Sequence, residues 1–266
     1  MSILVIQVLS KGIIFGADRN ITYTEKQTIN NKNEKVVFIK EAQSQRPKVL
    51  MWPNKKALFG YVGAATIAGL STDEWFYSFI GENLLFESLK HLSKKLCAEV
   101  EKQRKIDEAE NDAQPLIIHL AGYEKQDDYY VPFVWFIRNA YQLDSNGYSD
   151  FRKEYLCTEE FWKYFPDTQP KDIKNRLIEK ENNFKPFWFH QGFDLGTFNT
   201  LEAFLHEAFK WLSQNHPKHK FPTSLLEWEQ NLKMSILTYE SYFQSFNKIN
   251  EQYVGGGVDT VKLFWP

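Results

Sequence analysis

Four residues near the start of this 266-residue chain have the types and spacing for acyl-transfer chemistry: Ser2, Asp18, Lys48 and Gly63. With the initiator Met1 removed, Ser2 carries a hydroxyl and a free α-amine on one residue. A serine hydroxyl is a poor nucleophile until a base takes its proton. A free α-amine titrates at roughly 7.7–8, close to the pH at which a general base works best, so no histidine is needed. A buried Lys48 would stabilise the developing alkoxide, and Asp18 would keep that lysine charged and oriented. Gly63, at a strand-to-helix turn, could present its backbone N–H to an oxyanion with no side chain in the way.

The segments that hold these residues read as strands. Ile3–Leu9 and Gly12–Ala17 are apolar runs joined by a Ser10–Lys11–Gly12 turn, and the second ends in Asp18. Residues 48–52 and 57–62 form a second hairpin around Pro53–Asn54. Between the hairpins, residues 20–46 are polar, with Val36–Ile39 as one short strand. Helices are expected over 64–81 and 83–105, the second because Leu84, Leu85, Leu89, Leu92, Leu96 and Val100 recur at steps of three and four. Strands follow at 115–121 and 129–137. Residues 144–185 break the regularity and look inserted. Phe187–His190 reads as another strand, 198–214 and 223–248 as helices, and 258–264 as a last strand. Strands, two helices, strands, helices, strand is an α+β order. It fits a four-layer αββα sandwich, two antiparallel sheets between helical layers. The expected organisation is one domain over 1–266, with the insertion at about 144–185.

The same segments carry a family resemblance. Gly12–Arg19 resembles the second strand of proteasome β-type subunits, in which an Asp follows the N-terminal nucleophile by sixteen positions, as Asp18 follows Ser2 here. Lys48–Val49 with Gly60–Gly63 resembles the catalytic-lysine strand and the glycine turn after it. Leu116–Tyr123 and Gly255–Asp259 resemble the later Ala-Gly-Tyr strand and the Gly-Gly-x-Ile-Asp ending. Ser replaces the usual Thr, Asn20 stands where Arg is usual, and about a dozen extra residues separate Asp18 from Lys48. The supporting Asp near Gly255 has no clear counterpart; Gln252 is nearest. The resemblance covers about residues 2–125 and the final fifteen. It implies an N-terminal nucleophile (Ntn) hydrolase fold, cleavage of a peptide or other amide by Ser2, and a homo-oligomer, possibly a ring. An inactive proteasome-like subunit serving as scaffold or binding protein is the alternative.

Composition narrows the field. The net charge of −2 gives no electrostatic reason to expect nucleic acid or an acidic membrane surface. No apolar run reaches the length of a membrane span, so the expectation is a soluble cytoplasmic protein without cofactor or metal. Cys97 and Cys157 are far apart in sequence and do not read as a disulfide scaffold. His119 and His190 lie in apolar strands and read as satisfied sheet histidines. His216 and His219 flank Pro217 in a lysine-rich loop and read as a solvated turn, not a metal pair. Gly255–Gly257 lacks the Lys-Ser/Thr of a phosphate loop. The aromatics at 184–193 read as core.

Overall fold

The computed structural model describes residues 3–31, 34–54, 56–108, 115–144, 147–183, 185–192, 195–216, 220–246 and 256–266. The strands are β1 (Ile3–Leu9), β2 (Gly12–Asp18), β3 (Asn20–Asn31), β4 (Glu34–Gln45), β5 (Val49–Met51), β6 (Ala57–Gly63), β7 (Thr66–Ile67), β8 (Leu70–Ser71), β9 (Leu116–Gln126), β10 (Tyr129–Asp144), β11 (Gly147–Glu159), β12 (Phe187–Gly192) and β13 (Val258–Phe264). The helices are α1 (Thr72–Glu82), α2 (Leu89–Glu108), α3 (Ile173–Asn182), α4 (Leu195–Asn215) and α5 (Leu225–Phe246).

Two antiparallel sheets carry the architecture. One has the order β12–β1–β2–β13 and the other β11–β10–β9–β6–β5. Side chains alternate across each strand, and the alternation sorts the core into three slabs. Leu4, Ile6 and Val8 of β1 with Ile13, Phe15 and Ala17 of β2 meet Leu58, Val62, Ile117 and Ala121 of the facing sheet. The opposite side of β1, at Ile3, Val5 and Leu9, lies under Leu225, Trp228, Leu232, Ile236 and Tyr239 of α5. On the other sheet, Phe59, Tyr61, Ile118 and Leu120 face Phe76 and Phe79 of α1 and Leu92, Leu96 and Val100 of α2. Helix, sheet, sheet, helix is the four-layer α+β sandwich that the element order implied.

Local chemistry explains the helix starts. Ser224 and Glu227 form a reciprocal cap on α5: the Glu227 N–H donates to Ser224 Oγ at 3.2 Å and the Ser224 N–H to Glu227 Oε2 at 3.0 Å. Those backbone donors hold the Glu227 carboxyl down at about 2. α1 begins at Thr72, not 64. Ala68 and Gly69 adopt positive φ (52° and 73°), which folds 66–71 into the β7–β8 turn first. α2 begins at Leu89, leaving Leu84 and Leu85 on the exposed segment before it.

Two segments differ from the sequence reading. Residues 20–45 form one long hairpin, β3 paired with β4 from Asn20↔Gln45 to Asn31↔Glu34, where one short strand was expected. The 144–185 stretch is built into the fold: β11 is the edge strand of the larger sheet, and Phe161, Phe165, Ile173 and Leu177 close one end of the inter-sheet core. His119 also differs. It is buried between the sheets, stacked on Phe136 with centroids 4.0 Å apart, and among the described residues neither ring nitrogen meets a hydrogen-bond partner. Burial pushes its pKa down to about 3.

Candidate functional site

Asp18 ends β2, and Lys48 stands just before β5 in the other sheet, so their contact bridges the sandwich. The Lys48 ammonium donates to both Asp18 carboxylate oxygens at 2.9 Å and to the Asn20 carbonyl. Both side chains are sealed from solvent, at 1% and 0% exposure. Burial pulls the Lys48 pKa below its ordinary value, and the Asp18 charge opposes that pull. Asp18 Oδ1 also accepts the Ile3 N–H at 2.8 Å. One carboxylate thus holds the ammonium and the first described amide of β1.

The surrounding backbone is fixed by short bonds. The Arg46 N–H donates to the Arg19 carbonyl at 2.9 Å, and the Arg19 N–H to the Gly257 carbonyl at 3.0 Å. Gly256 and Gly257 have φ of 80° and 90°, the left-handed region that favours glycine. Val258 pairs with Asp18, so the glycine run enters β13 beside the ion pair. The Lys48 carbonyl accepts the Tyr61 N–H at 3.0 Å, and the Tyr61 hydroxyl donates to the Pro47 carbonyl at 3.3 Å. Gly63 ends β6 two residues further on, opposite Leu116, with φ of 108°. A Cβ there would lie 2.1 Å from the Pro115 carbonyl oxygen, so only glycine fits.

A charged rim completes this end. Arg46 donates to Ser71 Oγ at 3.0 Å and pairs with Asp73 at 3.4 Å and Glu74 at 3.1 Å. Arg19 pairs with Asp259 at 3.1 Å. Burial, then the Asp73 charge, pushes the Tyr61 phenol up.

Of the sequence candidates, Asp18 and Lys48 are in direct contact, and Gly63 is on the strand that hydrogen-bonds the residue-48 carbonyl. Ser2, Gln252 and Gly255 lie outside the described residues, as does His219 of the loop pair. Among the described residues, no three His, Cys, Asp or Glu side chains gather as a metal would need. Sequence reasoning missed the Asn20 carbonyl and the Ile3 N–H, because backbone groups leave no signature in residue type. It also missed the Arg46–Asp73–Glu74 rim, for which Asp-Glu at the start of α1 was the only available sign.

No protein-family model matches the chain, and no curated protein matches it. Among solved structures it is similar to the Anbu (Gly-1) mutant from Hyphomicrobium sp. strain MC1, at 14% identity over 100% of this chain and 84% of that one, with a TM-score of 0.49. It is also similar to Anbu (ancestral beta-subunit) from Yersinia bercovieri, at 11% identity over 98% and 81%, with a TM-score of 0.42. These neighbours correct the sequence resemblance. They are Anbu proteins, proteasome-like but a family distinct from the proteasome β-type subunits that the motifs pointed to. The motifs misdirected because short strand-and-glycine patterns describe an architecture that more than one family shares.

Proposed function

We propose that this chain is an amide-bond hydrolase whose nucleophile is Ser2 once Met1 has been removed. The observation that carries the reading is the grip of Asp18 on both the Lys48 ammonium and the Ile3 N–H, which sets a buried positive charge beside the start of β1. Desolvation offsets most of the Coulomb gain of even a well-satisfied buried ion pair, so stability alone is a weak reason for this one at a strand end.

In this reading the Ser2 α-amine takes the hydroxyl proton while Oγ attacks the substrate carbonyl. Lys48 stabilises the alkoxide and Asp18 holds Lys48. The Gly63 N–H receives the oxyanion of the tetrahedral intermediate. Collapse expels the amine, which leaves with the proton from the α-amine, and water then hydrolyses the Ser2 ester. The cycle uses side chains and backbone alone, without a cofactor or metal. The substrate is a peptide or other amide.

The test is a peptide and amide screen on Met1-free protein, with Ser2→Ala and Lys48→Ala beside it. Ser2-dependent turnover, or an intact-mass increase on Ser2 with a serine-directed electrophile, is the expected result. Turnover that survives Ser2→Ala would end the proposal.

One observation favours a second reading, an inactive subunit serving as an oligomeric scaffold. Among the described residues, three acceptors around Lys48 Nζ match its three N–H donors, so the ammonium would release one to reach a further hydroxyl. That reading predicts no electrophile adduct at Ser2.

Both readings include a single domain over 1–266 with an insertion at about 144–185, and a homo-oligomer, with a ring as the specific form. Exposed apolar side chains on and after α1, at Tyr77, Leu84 and Leu85, are the surface for such packing. Light scattering that gives only the 31.4 kDa monomer at micromolar concentration would remove the assembly from the proposal. Among the described residues, no helix is long and apolar enough to cross a membrane. The proposed setting is the cytoplasm, without nucleic acid or membrane as partner.

A further inference from the structure

The chain's two cysteines, sixty residues apart in sequence, are brought to one seam of the fold, where α2 packs on β11. On α2, Ser93, Lys94, Cys97 and Glu101 recur at three- and four-residue steps and share one side. On β11, Tyr155 and Cys157 are two apart and face the same way. The two sides pack together over the same apolar cluster. The Cys97 thiol donates to the Tyr155 carbonyl at 3.8 Å, two residues from Cys157 along the same strand. Neither is in a disulfide.

The two sulfurs have different surroundings. Cys97 is buried, with Glu101 nearby, and its thiol is pushed well up by Cys157 beside it and then by burial. Cys157 is half-buried, on an edge strand. Cys97 beside it, then Ser93 and the Lys94 charge on the facing side of α2, hold its pKa down to about 7. The partly open thiol is therefore the nucleophile, and the buried one stays protonated beside it.

We infer that Cys157 and Cys97 form a peroxide-responsive dithiol site, Cys157 as the attacking thiolate and Cys97 as the resolving thiol. The Cys157 thiolate displaces hydroxide from a peroxide, giving a sulfenic acid; sulfur is oxidised and the O–O bond is reduced. The Cys97 sulfur then attacks the Cys157 sulfur. The S–S bond forms, the S–O bond breaks, and the Cys97 proton leaves with the hydroxyl as water. A thiol reductant reverses the closure by exchange. Closure ties α2 to β11, an outer helix to the edge of the larger sheet.

The test begins with unmodified, reduced, full-length protein titrated with hydrogen peroxide, then alkylated and digested. The expected product is a Cys97–Cys157 cross-linked peptide, with loss of two hydrogens in the intact mass, no new dimer on a non-reducing gel, and reversal by dithiothreitol. In Cys97→Ser, Cys157 should stop at a sulfenic acid that dimedone captures. In Cys157→Ser, Cys97 should stay reduced at the same peroxide dose. Alkylation of Cys157 by iodoacetamide should be half-maximal near pH 7. At that pH its thiolate fraction is about fifteenfold that of a free cysteine, and lower intrinsic nucleophilicity trims the rate advantage to about threefold. Oxidation that gives only interchain disulfide or sulfinic acid would overturn the inference. So would Cys97 in Cys157→Ser oxidising as fast as the pair does.

Discussion

Removing the Asp18 carboxylate gives the sharpest test of the buried pair. Lys48 is 1% exposed and Asp18 supplies two of its three acceptors, so Asp18→Ala strands a buried ammonium. Breaking a buried ion pair by deleting one partner costs about 3–5 kcal/mol. Asp18→Asn keeps the shape and an acceptor for the Ile3 N–H, so it should cost nearly as much if the charge dominates. Lys48 can escape the penalty by losing its proton. Its folded pKa already lies below the ordinary 10.5, and losing Asp18 removes the contribution that raised it. The unfolded chain then binds the proton more readily than the folded one. The penalty is complete below the folded pKa and is relieved as pH rises toward 10.5. Urea midpoints for the variant should therefore climb between pH 7 and just below 10, more steeply than for the parent. The double variant Asp18→Ala/Lys48→Met should recover most of the loss at pH 7. If it is no more stable than Asp18→Ala alone, the cost lies in the Ile3 contact and not in the stranded charge, and the reasoning fails.

Three further outcomes follow from the geometry. Gly63→Ala should lose about 3 kcal/mol in urea unfolding, the upper end for a strained backbone position, because its Cβ would overlap the Pro115 carbonyl. Wild-type-like stability would show that the β6–β9 end gives way easily. His119 is neutral in the fold down to about pH 3, whereas the unfolded ring takes a proton below about 6.5. Stability should thus be lost as pH falls through that window, and His119→Phe should flatten the pH 7 to pH 4 difference in urea midpoint. An unchanged slope would place the acid sensitivity elsewhere. Retaining Met1 should abolish any Ser2-dependent turnover, because it converts the α-amine into an amide; a retained-Met1 sample that turns over as fast as the trimmed one would rule out the α-amine as base.

The layers were legible because burial and periodicity coincide there. β1 and β2 are apolar at nearly every position, as strands covered on both faces must be. The Leu89–Leu92–Leu96–Val100 stripe marks the inner side of α2. Boundaries failed where one or two residues decide them. Leu84 and Leu85 continue the apolar spacing but belong to a turn, and Ala68–Gly69 delays α1. The long β3–β4 hairpin was obscured because its Asn, Lys and Gln residues have low strand propensity, and cross-strand pairing outweighs it. At the candidate site, Asp18 and Lys48 were legible by type. The Cys97–Cys157 neighbourhood was not, since only the packing of α2 on β11 brings residues sixty apart to one seam.

The strand order of the smaller sheet has a consequence for how the chain is made. β1 and β2 leave the ribosome ahead of the other described elements, fourteen buried positions in all, yet their sheet partners are β12 and β13. Gly12 must wait for Phe264, 252 residues later. At about 5–20 residues per second, that is roughly 13–50 s of synthesis. Throughout it, the apolar hairpin is open on the β2 side, and until Leu225–Phe246 has been made it has no α5 above it. A nascent chain halted before Val258 would present that edge to chaperones and to other nascent chains. β13, translated after the other described elements, is thus the strand that takes this hairpin out of the reach of aggregation.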